Sequence, residues 1–275
     1  MHDPSSRQES PSYDPPSYDP LFAVDEKVVV LTGATGLIGR TLARALAERG
    51  ARLVLVDVSN DALDTLCADL PGEPWGVECD ISESAAVAAL TEGAMERHGR
   101  IDVLINAHQY KIMEVLRTPA EEFPEDLWDR MVDVNLKGTF LTCRDIGRRM
   151  LERGRGSIVN FASTYAVVSS NPALYEANSM GNPVSYSASK GGVIMLTRYL
   201  AAQWSGRGVR VNAVTPHGVL DKHEQGFIDR FSAMSPMGRM MHADEVVGAV
   251  LFLASDASSY ATGSNLMVDG GWSVW

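Results

Sequence analysis

The chain has 275 residues, 45% hydrophobic and 21% charged, which suits one soluble globular α/β domain with an ample core. Its 35 acidic against 24 basic residues give a formal net charge of −11, which argues against a nucleic-acid binder and against attraction to an anionic membrane. Cys67, Cys79 and Cys143 have no paired spacing, and no apolar run approaches the roughly 20 residues of a bilayer span, so neither a disulfide framework nor a membrane anchor is expected.

In chain order, the sequence PSYDP comes first, twice in tandem at 11–15 and 16–20. A segment so rich in Pro and Ser cannot bury enough apolar surface to offset its ordering entropy, so residues 1–22 are expected to be a disordered tail and 23–275 a single domain. The N-terminus lacks a basic region and an apolar core, so no secretory signal is expected and the cytoplasm is the expected compartment.

From Lys27 the pattern is strand, turn, helix, repeated. Val28–Leu31 is a continuous apolar run, as a strand buried on both faces requires. Thr41–Arg49 reads as a helix stopped by Gly50, Arg52–Val56 as a strand, and Ala62–Leu70 as a helix closed by Pro71 and Gly72. Trp75–Cys79, Val103–Asn106, Ser157–Phe161, Val209–Val214 and Asn265–Val268 read as further strands, with helices over 84–98, 125–152, 185–205 and 243–254. Such alternation predicts an α/β fold, a Rossmann-like doubly wound parallel sheet in three layers and one domain.

The first strand runs into Thr32-Gly33-Ala34-Thr35-Gly36-Leu37-Ile38-Gly39. Glycines there permit a tight turn, backbone approach to a pyrophosphate and close helix–strand packing, and a helix starting near Leu37 would aim its free amides at the phosphates. Gly33, Thr35, Gly36, Leu37, Ile38 and Gly39 are therefore candidate cofactor residues. Asp57 ends the second strand, 18 residues past Gly39. A carboxylate there would accept from the ribose hydroxyls of NAD and repel a 2′-phosphate, and no Arg or Lys follows closely, so NAD is preferred over NADP.

Tyr186-Ser-Ala-Ser-Lys190 opens a predicted helix, and i, i+4 spacing puts Tyr186 and Lys190 on one face. Tyrosine ordinarily titrates near 10, too high for proton exchange at neutral pH. A lysine ammonium a few ångströms away contributes about 4 kcal/mol at an intermediate dielectric, so Lys190 is expected to lower the phenol's pKa.

With these motifs in order, the chain from about residue 24 resembles the short-chain dehydrogenase/reductases, single-domain branch. Beside the Tyr/Lys pair it carries Asn135 in Val-Asn-Leu-Lys-Gly, Ser163 after the strand ending at Phe161, Asp80 and Ile81 after the third strand, Asn106-Ala107 after the fourth, and the closing run Val268-Asp-Gly-Gly-Trp272. The resemblance implies that Tyr186 exchanges the proton and Ser163 bonds the reacting oxygen. Lys190 would also bind the nicotinamide ribose, and Asn135 would hold a relay water. Asp80, Ile81, Asn106, Ala107, Pro216, Gly218 and Val219, with Tyr186 and Lys190, would line the cofactor. Homotetramers or homodimers pairing the helices at 125–152 and 185–205 are implied as well.

Four departures shape the substrate reading. The glycine spacing GxxGxxG resembles a longer branch of the superfamily, although the chain length fits the short one. His108 stands where the family usually has glycine, within reach of a substrate or else structural or solvated. Thr215-Pro216-His217-Gly218 lacks the threonine that usually follows to grip the cofactor. Finally, Ser163 and Tyr186 are 23 residues apart, a longer gap than the family usually has. The extra segment, 169–183, must bulge beside the site, and its Tyr175, Glu176 and Asn178 could bind several hydroxyls. It resembles an insertion in members linked to sugar and polysaccharide metabolism.

Tyr165, Tyr175, Glu176, His108 and His217 are thus the candidate substrate residues, and residues 217–241 are expected to form a mobile substrate loop. No HExxH or paired-His spacing points to a metal. The expected activity is NAD(H)-dependent oxidation or reduction of a sugar, polyol or related secondary alcohol. Two alternatives stay open: a 3-oxoacyl or other ketone reductase, and a silent nucleotide-binding sensor or scaffold.

Overall fold

A computed structural model describes residues 19–110, 118–175 and 181–275. The tandem repeat lies outside these residues. Pro20–Phe22 form a 3-10 turn whose Phe22 ring sits 6.5 Å from Phe252.

The elements in chain order are β1 (Val28–Thr32), α1 (Leu37–Ala47), β2 (Arg52–Asp57), α2 (Asn60–Ala68), β3 (Trp75–Glu78), α3 (Ser84–His98), β4 (Val103–Asn106) and α4 (Glu125–Val132), then α5 (Gly138–Arg153), β5 (Gly156–Phe161), a short α6 (Pro172–Tyr175), α7 (Val184–Trp204), β6 (Val209–Pro216), α8 (Gln225–Met234), α9 (Val247–Ala254) and β7 (Asn265–Val268). All seven strands are parallel, in the order β3-β2-β1-β4-β5-β6-β7. The chain reverses direction across the sheet between β1 and β4, and that switch point opens a crevice at the carboxyl ends of both strands.

The apolar runs form strands because both sheet faces are covered. Along β1, Val29 and Leu31 enter the core beneath α1 and α9, while Val30 enters the core beneath α3 and α5. Side chains alternate faces, so a strand covered on both sides must be apolar at every position. A third, smaller cluster sits beyond the sheet's carboxyl edge: Leu174, Phe227, Phe231, Met240 and Trp272. It joins α6, from the expected insertion, to α8, which lies inside the expected 217–241 loop. That loop is therefore partly helical. A single parallel bridge between Val219 and Met241 ties its two ends together.

The helix expected over 125–152 is not continuous. Residues Asp133–Lys137 form a π-helical turn between α4 and α5. The first helix starts at Leu37, directly on the glycine loop, as expected for a phosphate-binding helix start. Among the described residues, no helix is long and apolar enough to cross a membrane.

Candidate active site

The glycine loop lies against the end of β4. Gly33 has φ +69°, and a Cβ there would fall 2.6 Å from the His108 Cα. A Cβ on Gly39 would fall 2.0 Å from the Gly33 carbonyl oxygen. The loop therefore presents bare backbone to the groove, the cradle a pyrophosphate needs. Asp57 braces it: the Thr35 N–H and hydroxyl both donate to Asp57 Oδ2, at 2.9 and 2.6 Å. Gly33, Thr35, Gly36, Leu37, Ile38, Gly39, Asp57, Asp80, Ile81, Ala107 and Val219 line one groove of about 730 Å³. These residues fit a dinucleotide.

Two residues there were not apparent from spacing. Arg40 donates to the Thr35 carbonyl at 2.7 Å, which brings a guanidinium to the loop that holds Asp57. Arg130 of α4 bonds Asp80 at 2.9 Å. Burial alone would raise the Asp80 pKa, but hydrogen bonds from Ser82 and Arg130 outweigh it and hold the carboxyl below the usual range. Arg40 precedes Asp57 and Arg130 lies far beyond it, so neither is the close follower sought in the sequence, and of the two only Arg130 lines the groove.

Asn106 turns its side chain away from the groove. Its Nδ2 donates to Asn160 Oδ1 at 2.9 Å, and Thr142 donates to its Oδ1 at 2.9 Å. This amide braces the sheet against α5. Of the expected Asn106-Ala107 pair, Ala107 lines the groove.

His108 is 7% exposed and uses both ring nitrogens. Thr139 donates its hydroxyl proton to the Asn135 carbonyl, so it accepts from His108 Nε2–H at 3.1 Å. Nδ1 then accepts from Thr32 Oγ1 at 2.7 Å. Burial, assisted by the nearby Lys190 charge, pushes the imidazole down to about 3. It is a neutral strut between β1 and α5.

The π turn positions Asn135. Such a turn inserts one residue into a helix and re-aims the side chains within it. Asn135 is fully buried, accepting from the Tyr110 N–H at 2.8 Å and donating to Ser189 Oγ at 3.2 Å.

Ser163 caps a 3-10 turn at 164–166 and accepts from the Tyr165 N–H at 3.2 Å. Tyr186, in the first turn of α7, lines the same cavity as Ser163. One turn on, Lys190 is 3% exposed and donates from Nζ to the Phe161 carbonyl at 2.8 Å. Burial pushes its ammonium down to about 8.

Burial raises the Tyr186 phenol above its ordinary value, and the neighbouring Ser163 hydroxyl pulls it back.

Ser163, Tyr165, Tyr175, Tyr186, Lys190, Pro216, His217, Gly218 and Val219 surround a second cavity of about 640 Å³. It shares Ile38, Ala107, His108 and Val219 with the dinucleotide groove, so the two spaces abut. The Tyr165 and Tyr175 hydroxyls meet at 2.6 Å. Burial raises both phenols, Tyr175 to about 12. Gly218 has φ +58°, and a Cβ there would strike the Phe231 ring. Glu176 and Asn178 lie outside the described residues. Among the described residues, no group of three His, Cys, Asp or Glu side chains converges as a metal site.

Residues 33–273 match a family model described as enoyl-(acyl carrier protein) reductase. The D-threitol dehydrogenase of Mycolicibacterium smegmatis is 39% identical over 266 residues, spanning 94% of this chain and 97% of that protein. An NAD-dependent glycerol dehydrogenase of Listeria innocua is 33% identical, over 94% of this chain and 98% of its own. The crystal structure of a gluconate 5-dehydrogenase from Burkholderia cenocepacia, in complex with NADP and tartrate, superposes with a TM-score of 0.83 at 31% identity, covering 93% of this chain and 98% of that one. A bare-backbone dinucleotide groove meets a buried Ser and Lys and a half-buried Tyr, and relatives match over nearly their whole length: the chain belongs to the short-chain dehydrogenase/reductase family and is an NAD(P)-dependent oxidoreductase of CH–OH groups.

Proposed function

We propose that the protein transfers hydride reversibly between NAD(H) and a secondary carbinol carbon of a polyol, sugar or sugar derivative. The observation that carries this reading is the meeting of Ser163, Tyr186 and Lys190 in the wall of a cavity that also displays the Tyr165 and Tyr175 hydroxyls. Relatives named for threitol and glycerol support the substrate class.

When bound, the nicotinamide supplies or accepts the hydride at C4. The protein's own groups handle the proton and the geometry. Ser163 Oγ orients the reacting oxygen, and Tyr186 gives it a proton in reduction or takes one in oxidation. Lys190 binds the nicotinamide ribose from the floor of the site. Asn135 is the inner post of a proton relay, held in place by Tyr110 and Ser189.

NAD is the preferred cofactor on the strength of Asp57, whose carboxylate is fixed in the groove by Thr35. Arg40 favours a second reading, in which a 2′-phosphate is also tolerated, and comparison of NAD with NADP kinetics decides between them. The reading includes self-assembly through α5 and α7, where Phe140, Met195 and Tyr199 are exposed apolar residues, and residence in the cytoplasm. Sedimentation velocity checks the assembly.

The central test is NAD reduction with a panel of polyols and sugars. Tyr186→Phe is expected to lower turnover by roughly a hundred- to ten-thousandfold, the span of a lost general acid–base, while NADH still binds. Full activity in that variant would refute the mechanism.

A further inference from the structure

Of the histidines lining the cavity, two are buried, and they are treated differently. His108 spends both ring nitrogens on threonines. His217 is equally buried, at 8% exposure, yet its Nε2 is sealed without a hydrogen-bond partner. Among the described residues nothing bonds the ring at all. Buried polar groups are nearly always paired, so an imidazole in a cavity wall with neither nitrogen bonded needs an explanation.

The surroundings supply it. His217 follows Pro216 at the carboxyl end of β6, so the sheet delivers it to the cavity mouth. Aromatic rings then fix its orientation without consuming its nitrogens. Trp272 lies 4.5 Å away between centroids, Phe231 5.1 Å, and Tyr165 meets it edge-on at 5.1 Å and 74°. Burial pushes the imidazole down to about 4, against a smaller opposing pull from Asp269. It is therefore neutral, with one N–H donor and one lone-pair nitrogen. Since Nε2 is enclosed, Nδ1 is the nitrogen left to meet a molecule in the cavity.

Beside it, the Tyr165 and Tyr175 hydroxyls share one proton at 2.6 Å, and the second phenolic proton is left to donate outward. Both phenols sense Tyr186 electrostatically, so the pair and the reacting centre are near neighbours. A hydroxyl is both donor and acceptor, and this arrangement offers it one of each.

We propose that His217 and the Tyr165–Tyr175 pair form a second hydroxyl-reading subsite, which grips a non-reacting hydroxyl and makes the enzyme select polyols over monohydric alcohols. This rests on the polyol reading above and names the residues that enforce it.

The test is kcat/KM along a four-carbon series stepped from threitol through butane-1,2,3-triol and butane-2,3-diol to 2-butanol, for wild type, His217→Phe and Tyr175→Phe. Phenylalanine removes only the hydroxyl at Tyr175, and at His217 it replaces the imidazole by a somewhat larger apolar ring that keeps the aromatic character. In the wild type, the step that deletes the hydroxyl being read should lower kcat/KM roughly ten- to hundredfold. In His217→Phe that step should shrink to within about twofold, and the loss on threitol should fall mainly on KM. Tyr175→Phe, on a different element, should shrink the same step. NADH binding and thermal melting of each variant establish that it is folded. A variant pair that keeps every wild-type step, or loses the same factor on all four substrates, overturns the subsite while leaving the proposed function intact. A wild type that turns over none of the four but oxidises other alcohols also overturns the subsite. No turnover of any alcohol overturns the proposed function itself.

Discussion

On the dinucleotide side of the site, the polar groups hold one another: Thr35 holds Asp57, Arg130 holds Asp80, and two threonines hold His108. On the substrate side, His217 is held by rings alone, and the Tyr165–Tyr175 pair has bonding capacity left over. The first region rests on a sheet buried on both faces. The second rests on a five-residue apolar cluster beyond the sheet's edge. The difference matches the two tasks. A constant cofactor rewards a rigid, self-satisfied cradle, whereas a variable polar substrate must find partners that are oriented but not yet used.

The contrast can be broken most severely at the loop. Gly39→Ala places a methyl 2.0 Å from the Gly33 carbonyl, so the backbone must shift out of its phosphate-binding shape. NADH affinity should fall at least about a hundredfold by fluorescence titration, with the substrate cluster unchanged. Retained affinity would mean the loop is not the rigid half.

The next effect is on pH. Burial raises Tyr186, so at neutral pH the phenol is protonated, the form that reduction needs. Oxidation needs the deprotonated form, so its kcat/KM should rise with pH above neutrality relative to that of reduction. A flat oxidation profile would show that another group sets the phenol's pKa during turnover.

A smaller change is expected at Asp57. Asp57→Ala removes both the ribose acceptor and the repulsion of a 2′-phosphate, leaving Arg40 nearby. The ratio of NAD to NADP kcat/KM should drop roughly tenfold or more. No change would place the cofactor choice elsewhere.

Smallest is a stability comparison across the two regions. Ile105→Ala, in the fully buried sheet, should cost about 2–5 kcal/mol and lower the melting temperature plainly. Leu174→Ala is just as buried but sits in the outer cluster, so it should raise KM a few-fold and move the melting temperature less. Equal melting shifts would show that the outer cluster unfolds with the sheet.

How much was legible follows the same division. Continuous apolar strands, glycines at tight turns and the i, i+4 Tyr186–Lys190 pair are local signals, and Val103–Asn106 and Asn265–Val268 were read to the residue. The π turn around Asn135 was not legible, because an inserted residue leaves the helical composition unchanged. The inward turn of Asn106, the two-threonine clamp on His108 and the bond from Arg130 to Asp80 depend on residues from tens of positions away. The burial that raises Tyr186 and lowers Lys190 is of the same kind: adjacency was readable from spacing, but desolvation is set by the assembled core.

The bridge between Val219 and Met241 makes the span between them a detachable cassette. Leu220 N–H donates to the Met241 carbonyl and Met241 N–H to the Gly218 carbonyl, so the ends are stapled at the sheet whatever lies between. Loop-closure entropy grows slowly, about 0.6 kcal/mol for each doubling in length. Grafting a differently sized span between these two anchors is therefore a route to new substrate preferences that leaves the hydride-transfer chassis untouched.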